Sequence, residues 1–169
     1  MRRLSRDEAV ARAEREVDAL PAAFARCPMC AIAAEHPDDL VVLARRPEAL
    51  AILDRFPARR GHVVVVLRRH VETVASLPWD EYAAVQRLAW EAACAVERVL
   101  SPPRVFVASL GSAGPLPTSF PHHHVHVIPV AAGEGQRPAE VLTWSLGVGT
   151  YEGDEARALA DALTAAWPA

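Results

Sequence analysis

The stretch Pro121-His122-His123-His124-Val125-His126-Val127-Ile128-Pro129 constrains this chain more than any other. Its prolines and β-branched residues disfavour helix and suit extended backbone. In a strand alternate side chains share a face, so His122, His124 and His126 project together at steps of about 7 Å. His123, Val125 and Val127 then point the other way, and this largely apolar face reads as core. Three imidazoles are thereby aimed into a cleft. Burying them without a ligand or a reaction is costly, because each ring has two polar nitrogens to satisfy. His123 reads as structural or partly exposed at the start of the strand.

Two chemical uses fit three co-facial imidazoles. His-x-His on a strand can supply two nitrogen ligands to a metal. Alternatively, one imidazole attacks phosphorus: the neutral ring is abundant at pH 7, needs no base, and leaves well from a phosphoramidate. Its neighbours can then set its tautomer and protonate a leaving group.

Composition narrows the setting. A chain of 169 residues, 51% hydrophobic and 23% charged, suits one globular domain with a sizeable core. Its 18 basic and 21 acidic residues leave a net charge of −3, which argues against nucleic acid as a partner. All the basic residues are arginine, so Schiff-base and P-loop lysines are excluded. The N-terminal residues lack the apolar segment of a signal peptide, and no apolar run is long enough to span a membrane. A cytoplasmic protein is expected. Cys27 and Cys30 form a Cys-x-x-Cys pair, which in that compartment points to metal or redox chemistry, whereas Cys94 reads as buried packing.

Along the chain, Ser5-Arg6-Asp7-Glu8 is a capping box opening a peripheral helix to about Leu20, ended by Pro21. A turn and short helix follow over Cys27 to Ala34. Leu40 to Ala44, Ala49 to Leu53 and His62 to Leu67 read as strands. A long helix is predicted from Trp79 to about Leu100, bounded by Pro78 and by Pro102-Pro103. Val105 to Leu110 and His122 to Val130 are further strands, joined by a Gly/Pro-rich loop. Val141 to Tyr151 alternates like a strand and leads into a helix from about Asp154 to Trp167. The order is not a regular βαβ alternation, so the fold class is α+β, an antiparallel sheet covered by helices.

The histidine stretch resembles the signature of the histidine triad (HIT) family, His-φ-His-φ-His-φ-φ with φ apolar, although His123 stands in a slot that is usually apolar. Leu53-Asp54-Arg55-Phe56-Pro57 followed by Gly61 to Glu72 is similar to the family's upstream strand signature. Cys27-Pro28-Met29-Cys30 is similar to the zinc-binding start of many bacterial members. The resemblance implies a HIT fold with about five antiparallel strands and flanking helices. It places a HIT domain at residues 27–130, an N-terminal helical extension at 1–26, and a C-terminal strand-helix extension at 131–169, packed on the same domain.

The resemblance also implies site roles. His124 would attack the α-phosphorus of a nucleotide, His126 would contact the phosphate and assist proton transfer, and His62 would support the cluster. Ser119 would contact the phosphate or leaving group beside Thr118, and Asp54 would hold the ribose hydroxyls. Cys27, Cys30, His70 and His122 would bind a structural zinc, and the chemistry would require no catalytic metal. A homodimer is implied, with the long helix and an adjoining strand edge as contacts. The expected activity is hydrolysis of a nucleoside phosphoramidate or dinucleoside polyphosphate through a nucleotidyl-histidine. The alternatives are nucleotidyl transfer to a small-molecule acceptor, and a nucleotide-binding or interaction protein with little turnover. Thr118 stands where the family usually has Gln, and the loop from Ser109 to Pro117 lacks the family's usual Asn. Retention of His126 sets the chain apart from the uridylyltransferase branch, which carries Gln there.

Overall fold

Two unbroken apolar segments and one alternating segment build the centre of the molecule. The computed structural model describes residues 1–110, 120–130 and 137–168. Strands β2 (Val42–Arg45), β3 (Ala49–Leu53), β4 (Val63–Leu67), β5 (Arg104–Ala108) and β6 (His124–Val130) form one antiparallel sheet in the order β2-β3-β4-β6-β5. β3 and β4 are buried along their whole length, as their unbroken apolar runs require.

Period two sorts the sheet into two faces. Ala51, Leu53, Val63, Val65, Val125 and Val127 pack beneath helix α3 (Trp79–Leu100). That helix presents Val85, Leu88, Ala89, Ala92 and Val96 at helical spacing, and burial of each of the valine and leucine side chains contributes about 1.5–3 kcal/mol. Leu50, Ile52, Val64 and Val66 face the other way, against Ile32 and Ala33 of the short helix α2 (Pro28–Ala33). Val64 pairs with His126 and Val66 with His124, so these two histidines emerge on the α2 side. His123 points to the α3 side and is buried, its ring 6.1 Å from that of Tyr82.

The two ends of the chain meet in a second, small sheet. Strand β1 (Arg2–Leu4) pairs antiparallel with β7 (Val148–Thr150). Helix α1 (Arg6–Asp18) starts with the full capping box, Ser5 accepting from the Glu8 N–H while Glu8 accepts from the Ser5 N–H. It ends at Asp18, ahead of the breaker Pro21. Helix α4 (Pro138–Leu142) and helix α5 (Glu155–Ala165) complete the fold. The alternation of Val141 to Tyr151 is therefore not one strand. Trp144 takes a left-handed backbone with φ 59°, and Gly147 has φ 74°, so extended structure resumes only where β1 offers a partner at Val148. Cys94 is half-buried rather than fully packed away. Among the described residues no helix is long and apolar enough to cross a membrane.

The connection from β3 to β4 positions the site. The Asp54 N–H donates to the His62 carbonyl at 2.9 Å, closing a loop whose last turn needs Gly61 at φ 87°. The Gly61 N–H donates to the Tyr151 hydroxyl at 3.0 Å. An added Cβ would also meet the Leu100 side chain. Gly61→Ala is expected to lower unfolding free energy by about 1–2 kcal/mol, mostly through the left-handed backbone. Denaturant titration checks this, and an unchanged midpoint would contradict the assignment.

Candidate active site and metal centre

His122, His124 and His126 divide between two separate side-chain clusters. His122 lies just before β6, with its ring turned to α2. Its Nε2 sits 2.7 Å from the Leu67 carbonyl, which can only accept, so Nε2 carries the proton and Nδ1 offers a lone pair. That Nδ1 is 3.5 Å from Cys27 Sγ and 3.4 Å from Cys30 Sγ, and His70 Nδ1 is 3.3 Å from Cys30 Sγ. The four ligand atoms all lie within 4.8 Å of one another. Tetrahedral zinc, with Zn–S of about 2.3 Å and Zn–N of about 2.0–2.1 Å, separates S from N by about 3.5 Å.

The donor chemistry fits the same ion. Burial and the neighbouring Cys27 thiol push Cys30 up to about 11, a cost that a dication reverses by stabilising the thiolates. Burial, chiefly, pushes His122 down to about 4, leaving it neutral and ready to ligate. Glu72, 3.5 Å from His70 Nε2, is an outer partner that the sequence reading missed. The order in sequence explains the construction. Pro28 starts α2 immediately after Cys27, and one helical turn brings Cys30 back beside it, its N–H donating to Cys27 Sγ at 3.4 Å.

His124 and His126 face a cavity instead. The cavity has a volume of about 110 Å³ and is lined by both rings, His62, Asp54 and mostly apolar side chains. His124 Nδ1 lies 2.6 Å from the His122 carbonyl and must donate to it. Burial pushes this imidazole below its ordinary range, with the carbonyl contact and Asp54 acting in the opposite sense. The ring is therefore neutral at pH 7, with its lone pair on Nε2.

A hydrogen-bond relay stands beside it. Asp54 Oδ2 is 2.9 Å from His62 Nδ1, and His62 Nε2 is 3.0 Å from His126 Nδ1. Burial alone would raise the Asp54 carboxyl, but His62, the Phe56 N–H and His126 outweigh it and hold the group down to about 2. The carboxylate can only accept, so His62 Nδ1 donates to it. The Ala58 N–H also approaches that Nδ1, at 3.3 Å; the shorter, charge-assisted contact decides the tautomer. His62 Nε2 then accepts from His126 Nδ1, which leaves His126 Nε2 with a lone pair. That atom is buried and has no hydrogen-bond partner among the described residues. Asp54, His62 and His126 also lie close enough to share a cation, but both His62 nitrogens are committed within the relay.

Sequence reasoning placed His62, His124 and His126 together and separately grouped Cys27, Cys30, His70 and His122, and the structure brings both sets together. It adds the Asp54–His62 contact, for which the sequence offered no signal. Phe56 and Trp144 also border the cavity, as do residues of α1. Thr118 and Ser119 lie outside the described residues. His36 is exposed beside Phe24.

Comparison with known proteins identifies the fold and the family. An uncharacterized HIT-like protein of Mycoplasma genitalium is 30% identical over 87 residues, covering 52% of this chain and 61% of that protein, so the chain spans less than two thirds of that curated relative. A hypothetical histidine triad nucleotide-binding protein from Sulfolobus tokodaii superposes with a TM-score of 0.66 at 18% identity, over 83% of this chain and 91% of that one. A Zn-bound histidine triad family protein from Mycobacterium smegmatis gives 0.64 at 22% identity, over 82% and 94%. Residues 34–133 match the HIT domain family, and with the two histidine sites in place the chain belongs to that family.

Proposed function

We propose that the protein hydrolyses a nucleoside phosphoramidate or a dinucleoside polyphosphate through a covalent nucleotidyl-histidine. The observation that carries this reading is the 2.6 Å contact of His124 Nδ1 with the His122 carbonyl, which leaves Nε2 bare at the cavity. A neutral, fixed imidazole is a nucleophile that needs no prior deprotonation. Its attack on the α-phosphorus forms a P–N bond as the bond to the amine or nucleotide leaving group breaks.

His126 handles the proton. As the anionic substrate enters, the bare Nε2 takes up one proton from solvent, and the resulting cation, its charge balanced by Asp54 through His62, protonates the departing group. The bare Nε2 then accepts a proton from water as the water attacks phosphorus. The second step breaks the P–Nε2 bond to His124 and releases a nucleoside monophosphate. Asp54, while holding His62, keeps lone pairs on both oxygens for the ribose hydroxyls. Thr118 and Ser119 are assigned to the phosphate and leaving group by their place before the triad.

The Cys27, Cys30, His70 and His122 set closes a tetrahedron, so zinc there is structural and ties α2 to the entry of β6. We further assign a homodimer contact to the edge strand β5 and helix α3, where Val107 is 47% and Trp90 59% exposed.

Three outcomes are expected. His124→Asn loses turnover of adenosine 5′-phosphoramidate by more than about 10³-fold while keeping its thermal midpoint; substantial residual activity would contradict the nucleophile assignment. The second concerns pH. Burial, chiefly, holds the folded His126 well below 6.5, so the unfolded chain binds its proton first and stability falls as pH drops below about 6.5. His126→Gln shows a shallower decline in unfolding free energy between about pH 6.5 and 5 than the parent; equal slopes would contradict it. Third, the protein carries about one zinc per chain by elemental analysis. Cys27→Ser with Cys30→Ser removes the metal and lowers the melting temperature by roughly 5 °C or more.

A further inference from the structure

The HIT match covers residues 34–133, yet the reaction cavity is not closed by those residues alone. One side is the sheet and α2, with Ile52 and Met29. A further wall comes from the two chain extensions, through Glu16, Val17 and Leu20 of the N-terminal segment and Trp144 beyond the triad strand. Val17, in the last turn of a helix whose fully buried positions are Ala9 and Ala13, and Leu20, just beyond its end, are half-buried and line the cavity.

The wall is held in place from both ends of the chain. β1 and β7 bond the two extensions to each other. Phe56 packs in one cluster with Leu4, Ala9, Ala13 and Val148, and its ring lies 5.7 Å from that of Trp144. Arg12 sits 5.2 Å over the other part of that aromatic pair, the Phe56 ring. Arg55 donates to Glu16 at 2.8 Å and to Asp39 at 2.9 Å, latching α1 to the body. Trp144 keeps a left-handed backbone that costs a non-glycine residue about 1–2 kcal/mol, a conformation the surroundings must impose.

The chemistry of the wall selects what enters. Its surface is apolar, its carboxylate is Glu16, and the charge of Arg55 is already taken by Glu16 and Asp39. A phosphate gains nothing there. The volume of about 110 Å³ is well below the roughly 300–1,000 Å³ of a whole-ligand pocket, and it suits one ring system. We propose that the two chain extensions form the nucleoside-binding wall, with Val17, Leu20 and Trp144 holding the uncharged heterocyclic ring while the phosphate sits at His124 and His126. This rests on the reading of the cavity as a nucleotide site, and it makes specificity a property of segments beyond the HIT match.

Binding tests it separately from turnover. Isothermal titration with adenosine monophosphate and with ribose 5-phosphate compares the full chain with Val17→Ala/Leu20→Ala, and thermal melting verifies that the variant is folded. Loss of these side chains is expected to weaken adenosine monophosphate about tenfold and leave ribose 5-phosphate unchanged. Trp144→Ala should act in the same direction. Unchanged adenosine monophosphate affinity, equal weakening of both ligands, or a parent that binds the two equally well would each overturn the proposal. Failure of the hydrolytic reading would appear instead as tight, wall-dependent binding without turnover.

Discussion

The contact between His124 Nδ1 and the carbonyl of His122 organises the candidate chemistry. An imidazole has two nitrogens and, when neutral, one proton; a carbonyl can only accept, so the proton is fixed on one side and the lone pair on the other. The contact spans two residues of one segment, so the local backbone path into β6 defines it. Burial maintains it by opposing a second proton. Everything around it supplies rigidity: β4 pairs Val66 against His124 and Val64 against His126, and α3 covers the far face of the same strands.

Period two explains how one short segment serves two sites. His122 and His124 point to the same side of the sheet, but His122 precedes the strand and turns to α2, where Cys27 and Cys30 meet it. Its main-chain carbonyl still accepts from His124. Under the proposed function, a metal held by the His122 side chain would fix the backbone that orients the neighbouring imidazole.

Much of this was legible in the sequence, for physical reasons specific to each segment. Pro78 and Pro102-Pro103 bound α3, so its ends at Trp79 and Leu100 were readable. Ser5 and Glu8 announced α1. The valines of β4 and the alternation in β6 identified buried strands. Reading failed where a distant partner decides the outcome. Val141 to Tyr151 alternates, but an alternating pattern makes a strand only where another strand is available, and β1 reaches only Val148 to Thr150. The Asp54–His62 contact depends on how the loop between them closes. The place of Val17, Leu20 and Trp144 on one cavity depends on both chain ends folding over the sheet, which no local pattern encodes.

The relay from Asp54 through His62 to His126 completes the account, since it gives one imidazole a route for sharing positive charge while its neighbour remains neutral. The two histidines thereby differ in their partners, a carbonyl for His124 and the His62 ring for His126. The most direct measurement is rapid acid-free quenching of the protein during turnover of a nucleoside phosphoramidate, followed by mass spectrometry of its peptides and assignment of the modified nitrogen. One nucleoside monophosphate group is expected on His124, bonded through Nε2, forming and decaying at the rate of turnover. An adduct on His126 or another residue, or turnover with no adduct on His124, would contradict it.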